Sequence, residues 1–154
     1  MDRDPKHMQD IVTMAHKHKG TSFIEIFQNC NIYNDGAYLL YTEKDTKADN
    51  TVMLEHGRPL VFGSKKDKGI KLVGFRPVVV SLEDGKHTVD DLIVHDQTSK
   101  ELAMILAQFP EMEGFPMPLG VLYEVEMPCF EDEIEDQINE SIKKCGEGDL
   151  EKLM

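Results

Sequence analysis

Apolar and polar positions alternate along the chain in blocks that predict a short series of helices and strands. Asp4-Pro5 opens a helix, since aspartate is a favoured N-cap and proline suits the first helical position. Met8, Ile11, Val12 and Ala15 then fall on one helical face. Lys17 and Lys19 sit where cations complement the helix dipole, and Gly20 is placed to close the helix in the left-handed conformation. Residues 22–27, Ser-Phe-Ile-Glu-Ile-Phe, predict a strand buried on both faces. A helix, a glycine turn and an apolar strand look like the closing unit of a parallel α/β sheet. The first 45 residues therefore read as the end of something larger.

Residues 42–51 are polar throughout and predict a boundary or an exposed loop. Beyond them Val52–Glu55, Leu60–Phe62, Gly69–Val73 and Val78–Leu82 predict strands, punctuated by turns at Arg58-Pro59 and Ser64–Lys68. Glu83-Asp84-Gly85 is a turn leading to a further strand over Val89–Val94. Thr98 with Glu101 forms a capping box ahead of an apolar helix stripe, Leu102, Ile105, Leu106 and Phe109, stopped by Pro110. Pro116 and Pro118 keep 110–120 extended, and Val121–Val125 predicts another strand. Ile134, Ile138 and Ile142 recur every four residues on a last helix ended by Gly146.

Charge changes the picture of partners. The chain has 154 residues, 17 Lys plus Arg against 29 Asp plus Glu, and a net charge of −12. Such a balance argues against a nucleic-acid surface, which needs basic groups for phosphate. No apolar run approaches the roughly 20 residues that span a bilayer, and the charged N-terminus lacks the apolar core of a secretion signal. Three widely spaced cysteines, Cys30, Cys129 and Cys145, do not suggest a disulfide framework; a reducing cytoplasm is the expected setting. The acid concentrates at the end. Residues 131–154 hold nine carboxylates and three lysines, half of the whole net charge. That segment is either a solvated helix face or a docking surface for a basic partner or a neighbouring subunit.

Familiar catalytic motifs are missing: the chain has no glycine-rich phosphate loop, Cys-x-x-Cys pair, nucleophile elbow or His-Glu-x-x-His. His16 and His18 are two apart on a helix and point to a solvated face rather than a shared metal. His56 and His95 each have a loop setting in which a carboxylate could hold a general base, His95 beside Asp96, with ordinary loop hydrogen bonding as the alternative. The stretch from Glu25 to Tyr38 is different, gathering Cys30, three asparagines, Asp35 and Gly36 after an apolar strand, where α/β sheets place ligands. From composition alone it also reads as a polar loop with an incidental cysteine.

Residues 18–38, His-Lys-Gly-Thr-Ser-Phe-Ile-Glu-Ile-Phe-Gln-Asn-Cys-Asn-Ile-Tyr-Asn-Asp-Gly-Ala-Tyr, resemble the β subunit of 2-oxoacid:ferredoxin oxidoreductases, most nearly the 2-oxoglutarate type. Leu54–Gly63, Lys66–Ile70, Asp90–Asp96 and Phe115–Gly120 resemble later stretches of that subunit, in order. The resemblance implies oxidative decarboxylation of a 2-oxoacid to an acyl-CoA, using thiamine diphosphate, magnesium and a 4Fe–4S cluster that passes electrons to ferredoxin. It also implies that Cys30 supplies the fourth cluster thiolate, the other three coming from an N-terminal part; a buried structural thiol is the alternative. The family's Cys-x-x-Cys half-site and Gly-Asp-Gly-Asp diphosphate motif do not occur here. The chain thus looks like the C-terminal portion of a subunit, whether a cloned fragment, a proteolytic product or one piece of a split gene. The acidic end beyond about residue 131 departs from the family pattern.

The expected architecture is α/β. Residues 1–47 are the closing helix–strand of a thiamine-diphosphate-binding parallel-sheet domain, and 48–154 a small α+β extension with an acidic terminal helix. Expected partners are the N-terminal part of the same β subunit, the α subunit, ferredoxin, a 2-oxoacid and coenzyme A. Alone, the chain is expected to be inactive, to bind thiamine diphosphate weakly or not at all, and to self-associate through the apolar face around Phe23, Ile24 and Ile26. Cys129 and Cys145 should be dispensable. A non-catalytic, stand-alone interaction module retaining the fold is the competing reading.

Overall fold

Asp4 caps the first helix, α1 (Pro5–Lys17), its carboxylate accepting from the His7 N–H at 3.2 Å, as the Asp-Pro pair predicts. The computed structural model describes residues 1–149 and 151. Lys47 donates to the same carboxylate at 2.8 Å. Chiefly that bond, then the His7 N–H, holds the Asp4 carboxyl below its ordinary value of 3.8. A folded-state pKa below the unfolded one stabilises above 3.8, and the gain is lost as pH falls through the folded value. Asp4→Ala is therefore expected to cost about 1 kcal/mol near neutral pH, the difference from wild type closing in acid. Urea titrations at neutral pH and below 3.8 check both limbs.

α1 does not end on Gly20. His18 is the C-cap, in extended conformation, and Gly20 follows at φ 119°, outside the left-handed helical range. His18 bridges instead: its Nε2 lies 2.9 Å from the Val125 carbonyl and its Nδ1 3.2 Å from the Ser22 hydroxyl. The expectation of a solvated His16/His18 face thus fails for His18. Nor do residues 22–27 form a strand. Residues 21–29 run without a ladder, tied by the Asp2 N–H to the Phe27 carbonyl and by the Asn29 N–H to the Asp2 carboxylate. Phe23 is 90% exposed, and Ile24 and Ile26 are exposed as well. A strand needs a neighbour to take its N–H and C=O groups, and β1 and β5, described next, pair with each other.

After α2 (Leu39–Thr42), the polar run that follows residue 42 folds as helix rather than loop, α3 (Lys44–Asn50), and leads into β1 (Thr51–Leu54). β2 (Val61–Phe62), β3 (Lys68–Val73) and β4 (Arg76–Ser81) follow as a three-stranded antiparallel sheet in that order. Val73 opposes Arg76 across a two-residue turn whose first residue, Gly74, takes φ 63°. β1 pairs in parallel with β5 (Met117–Gly120). The result is α/β with one small parallel and one antiparallel sheet.

Two other expected strands are absent. In Val89–Val94 the Thr88 N–H and hydroxyl both bond the Asp91 carboxylate, which favours a 3-10 turn at Val89–Asp91. Leu92 to His95 then thread past residues 57–60, with Ile93 N–H bonding the Ile70 carbonyl. At Val121–Val125 the ladder has already ended at Gly120, whose φ of 140° turns the backbone away from β1. The capping residue of α4 (Lys100–Leu106) is Ser99, whose hydroxyl accepts from the Leu102 N–H at 3.1 Å; Thr98 instead bonds Asp96. The stripe it displays is core: Leu102, Leu106 and Phe109 pack with Val52, Leu54, Leu60, Phe62, Ile70 and Ile93. A smaller cluster joins Met1, Met117 and Leu119, with Phe27 and Tyr41 against it. The last helix, α5 (Phe130–Cys145), ends as predicted at Gly146. No helix among the described residues is long and apolar enough to cross a membrane.

Candidate functional site

The loop from Phe27 to Tyr38 is closed at its base by the stacked rings of those two residues, 5.1 Å apart. Asn29 braces it from inside, donating to the Asp35 carboxylate at 2.9 Å and accepting from the Gly36 N–H at 2.9 Å. Short asparagine amides bond nearby backbone readily, which suits them to such turns. Within this frame the Asn34 N–H bonds the Cys30 carbonyl at 2.9 Å, folding residues 30–34 into a tight reversal. The reversal brings the Cys30 thiol under the influence of the backbone N–H groups that follow it. Those of Tyr33 and Ile32, and more weakly Asn34, hold the thiol below its ordinary value of 9.0.

Cys30 is exposed and free, so the alternative of a buried structural thiol is overturned. It follows an unpaired extended segment rather than the end of a buried strand. A thiolate faced by several peptide N–H groups is stabilised as an anion and suited to metal ligation. Among the described residues no three His, Cys, Asp or Glu side chains gather as a metal site, so Cys30 could enter such a site as a single ligand. Cys129 is half-buried at the N-cap of α5 and Cys145 is exposed at its other end.

Beside the loop runs an apolar groove of about 500 Å³ between α1, residues 21–27 and residues 117–124, with Met8, Ile11, Phe27, Met117, Leu119 and Tyr123 among its walls. Sequence periodicity marks the apolar side of α1, yet no residue of α1 is buried. That face meets the groove, not a core.

The two histidines take different parts. His95 is 1% exposed, and its Nε2 lies 2.8 Å from the Val121 carbonyl, with Nδ1 unpartnered. It is a core side chain and makes no hydrogen bond with Asp96. Asp96 instead lies 3.7 Å from His56, whose Nδ1 accepts from the Gln97 N–H at 3.3 Å. The Thr98 hydroxyl and N–H, ahead of His56, keep the Asp96 carboxyl low. With Nδ1 occupied by a backbone donor, His56 is oriented by its loop. Reasoning from residue types missed the roles of Asn29 and of the N–H groups of Ile32 to Asn34. The cluster of asparagines before Asp35-Gly36 is the signal that a tight polar turn would form there.

No protein-family model and no solved structure matches the chain. A curated protein does. The chain is 26% identical over 140 residues to the 2-oxoglutarate oxidoreductase subunit KorB of Mycobacterium tuberculosis. The match covers 90% of this chain and 37% of that protein, so the chain spans well under half the length of its relative. The chain is thus related to a 2-oxoglutarate oxidoreductase subunit, as the motifs of residues 18–38 imply, and the extent of the match is consistent with a C-terminal portion of it.

Proposed function

We propose that this chain is the C-terminal portion of the β subunit of a 2-oxoacid:ferredoxin oxidoreductase of the 2-oxoglutarate type, acting in the cytoplasm. The observation that carries the reading is the exposed Cys30 at the head of the tight reversal 30–34 that Asn29 braces, inside the stretch that resembles the family. N–H groups near a cluster-bound thiolate tune its potential and hold it ionised. Residues 1–47 complete a thiamine-diphosphate-binding domain, and residues 48–154 form the subunit's C-terminal domain, contacting the α subunit. The unpaired segment 21–27 and the groove beside it then receive the N-terminal part of the same subunit.

When bound, thiamine diphosphate with magnesium supplies the decarboxylating chemistry and the 4Fe–4S cluster the route for electrons to ferredoxin, while coenzyme A takes the acyl group. The described residues fit the cluster through one thiolate, and they hold no gathered carboxylates fit for the magnesium ion. In this reading the magnesium and diphosphate ligands belong to the N-terminal part. This chain's own contribution is to fix Cys30 by the Asn29 brace and to hold its thiol below its ordinary value of 9.0.

Reconstitution of the chain with the N-terminal part of the subunit tests the assignment through iron and sulfide content and visible absorption. Cys30→Ser is expected to lose most of the cluster iron, whereas Cys129→Ser keeps it. Full iron and undiminished electron transfer to ferredoxin in Cys30→Ser would overturn the reading.

A further inference from the structure

Residues 1–4 form a tight turn, the Asp4 N–H bonding the Met1 carbonyl at 3.2 Å, and they touch both ends of the loop that carries Cys30. At the entry Asp2 bonds twice. Its N–H donates to the Phe27 carbonyl at 3.1 Å, and its carboxylate accepts from the Asn29 N–H at 3.3 Å. Beyond the exit Arg3 pairs with Glu43, between α2 and α3, and Asp4 pairs with Lys47 of α3 at 2.8 Å. Met1 anchors the turn, 8% exposed in a cluster with Met117 and Leu119 on which Phe27 and Tyr41 also pack.

These contacts differ in what they hold. Arg3 and Glu43 are both exposed, and an exposed ion pair contributes little. Asp4 and Lys47 serve the cap of α1 and the position of α3. Asp2 grips the residue next to Cys30. Its carboxylate holds the Asn29 backbone, while the Asn29 side chain reaches forward to the Asp35 carboxylate and the Gly36 N–H. A bond from a backbone N–H to a charged oxygen is stronger than a neutral one. Without it the Asn29 backbone turns freely, its amide loses its aim on Gly36, and the reversal 30–34 loses its frame. We propose that Asp2 is a positioning residue for Cys30, fixing the Asn29 backbone and, through the Asn29 side chain, the loop that presents the thiolate to the cluster. The step to the cluster rests on the ligand role of Cys30 proposed above; the clamp on the loop does not.

Hydrogen exchange of the chain alone, followed residue by residue by NMR, reads the clamp without a cluster. Asp2→Ala is expected to speed exchange of the Asn34 and Gly36 N–H groups about tenfold, with those of β3 and β4 unchanged. Asp2→Asn, whose side-chain oxygen still accepts from the Asn29 N–H, is expected to restore the wild-type rates. After reconstitution with the N-terminal part, the cluster potential is expected to fall in Asp2→Ala and to recover in Asp2→Asn, because N–H groups near cluster sulfurs favour the added electron. Unchanged exchange at Asn34 and Gly36 in Asp2→Ala overturns the proposal. So does equal acceleration in β3 and β4, the mark of a general loss of stability, or a failure of Asp2→Asn to rescue. A loosened loop with wild-type iron content and potential overturns the positioning role. Full iron in Cys30→Ser strikes the ligand assignment and with it the cluster half of the proposal, while the exchange rates still decide the clamp.

Discussion

Truncation of Phe109 to alanine is expected to cost about 3–5 kcal/mol, enough to unfold much of a chain of ordinary stability. Phe109 has no solvent exposure and stands where α4 gives way to a 3-10 turn, tilted on the Phe115 ring at a centroid distance of 4.9 Å. It belongs to the cluster that joins α4 to β1, β2 and β3, so its removal opens a void that backbone on several sides must collapse to fill. Phe75, at the tip of the β3–β4 hairpin and 94% exposed, is the matched control. Phe75→Ala should stay within about 0.5 kcal/mol of wild type. Urea unfolding by circular dichroism checks the pair. A Phe109→Ala chain less than 1 kcal/mol weaker than wild type, by order of magnitude, would show that this cluster is not the centre of the fold.

Gly120→Ala comes next in size. Gly120 ends β5 at φ 140°, opposite Leu54 in the parallel pair. A methyl group there would lie 2.8 Å from the Leu54 carbonyl oxygen and 2.9 Å from its Cβ. Both atoms are fixed by β1, so the clash cannot be relieved by rotating a side chain. Strain at positive φ and the displaced ladder together are expected to cost about 2–4 kcal/mol. Gly74 separates the two causes: it too has positive φ, 63°, but no atom lies within 4 Å of the added carbon. Gly74→Ala should therefore lose about 1 kcal/mol from backbone strain alone. Equal losses in the two variants, measured by thermal unfolding, would rule out the close approach of β5 to β1 as the cause.

Where residue types and spacing describe a local arrangement, the reading holds. Asp4-Pro5 starts α1, the apolar runs at 52–55, 60–62, 69–73 and 78–82 all lie in or beside strands, and Gly146 ends α5. The stripe Leu102, Leu106 and Phe109 is core as its spacing requires. Apolar character misleads where the outcome depends on a neighbour. Residues 22–27 and 121–125 are as apolar as β1, yet neither joins a ladder. The candidate site divides the same way. Cys30 stands out by its company of asparagines, and its exposure and the N–H groups around its sulfur emerge only with the fold of residues 30–34.

The sequence by itself determined what neighbours along the chain can settle: caps, turns, the hydrophobic stripes of helices, the charge of α5, and the asparagine-rich stretch around Cys30. Those features arise from interactions spanning a few residues, so their energies are written locally. Tertiary structure alone decided which apolar segments become strands, that His95 bonds the Val121 carbonyl rather than Asp96, and that Gly120 rather than Val125 ends the ladder. A strand is satisfied only by another strand's N–H and C=O groups, and a buried imidazole only by whichever carbonyl the packing brings to it. Periodicity records that a side chain prefers to leave water, and is silent on what will be there to meet it.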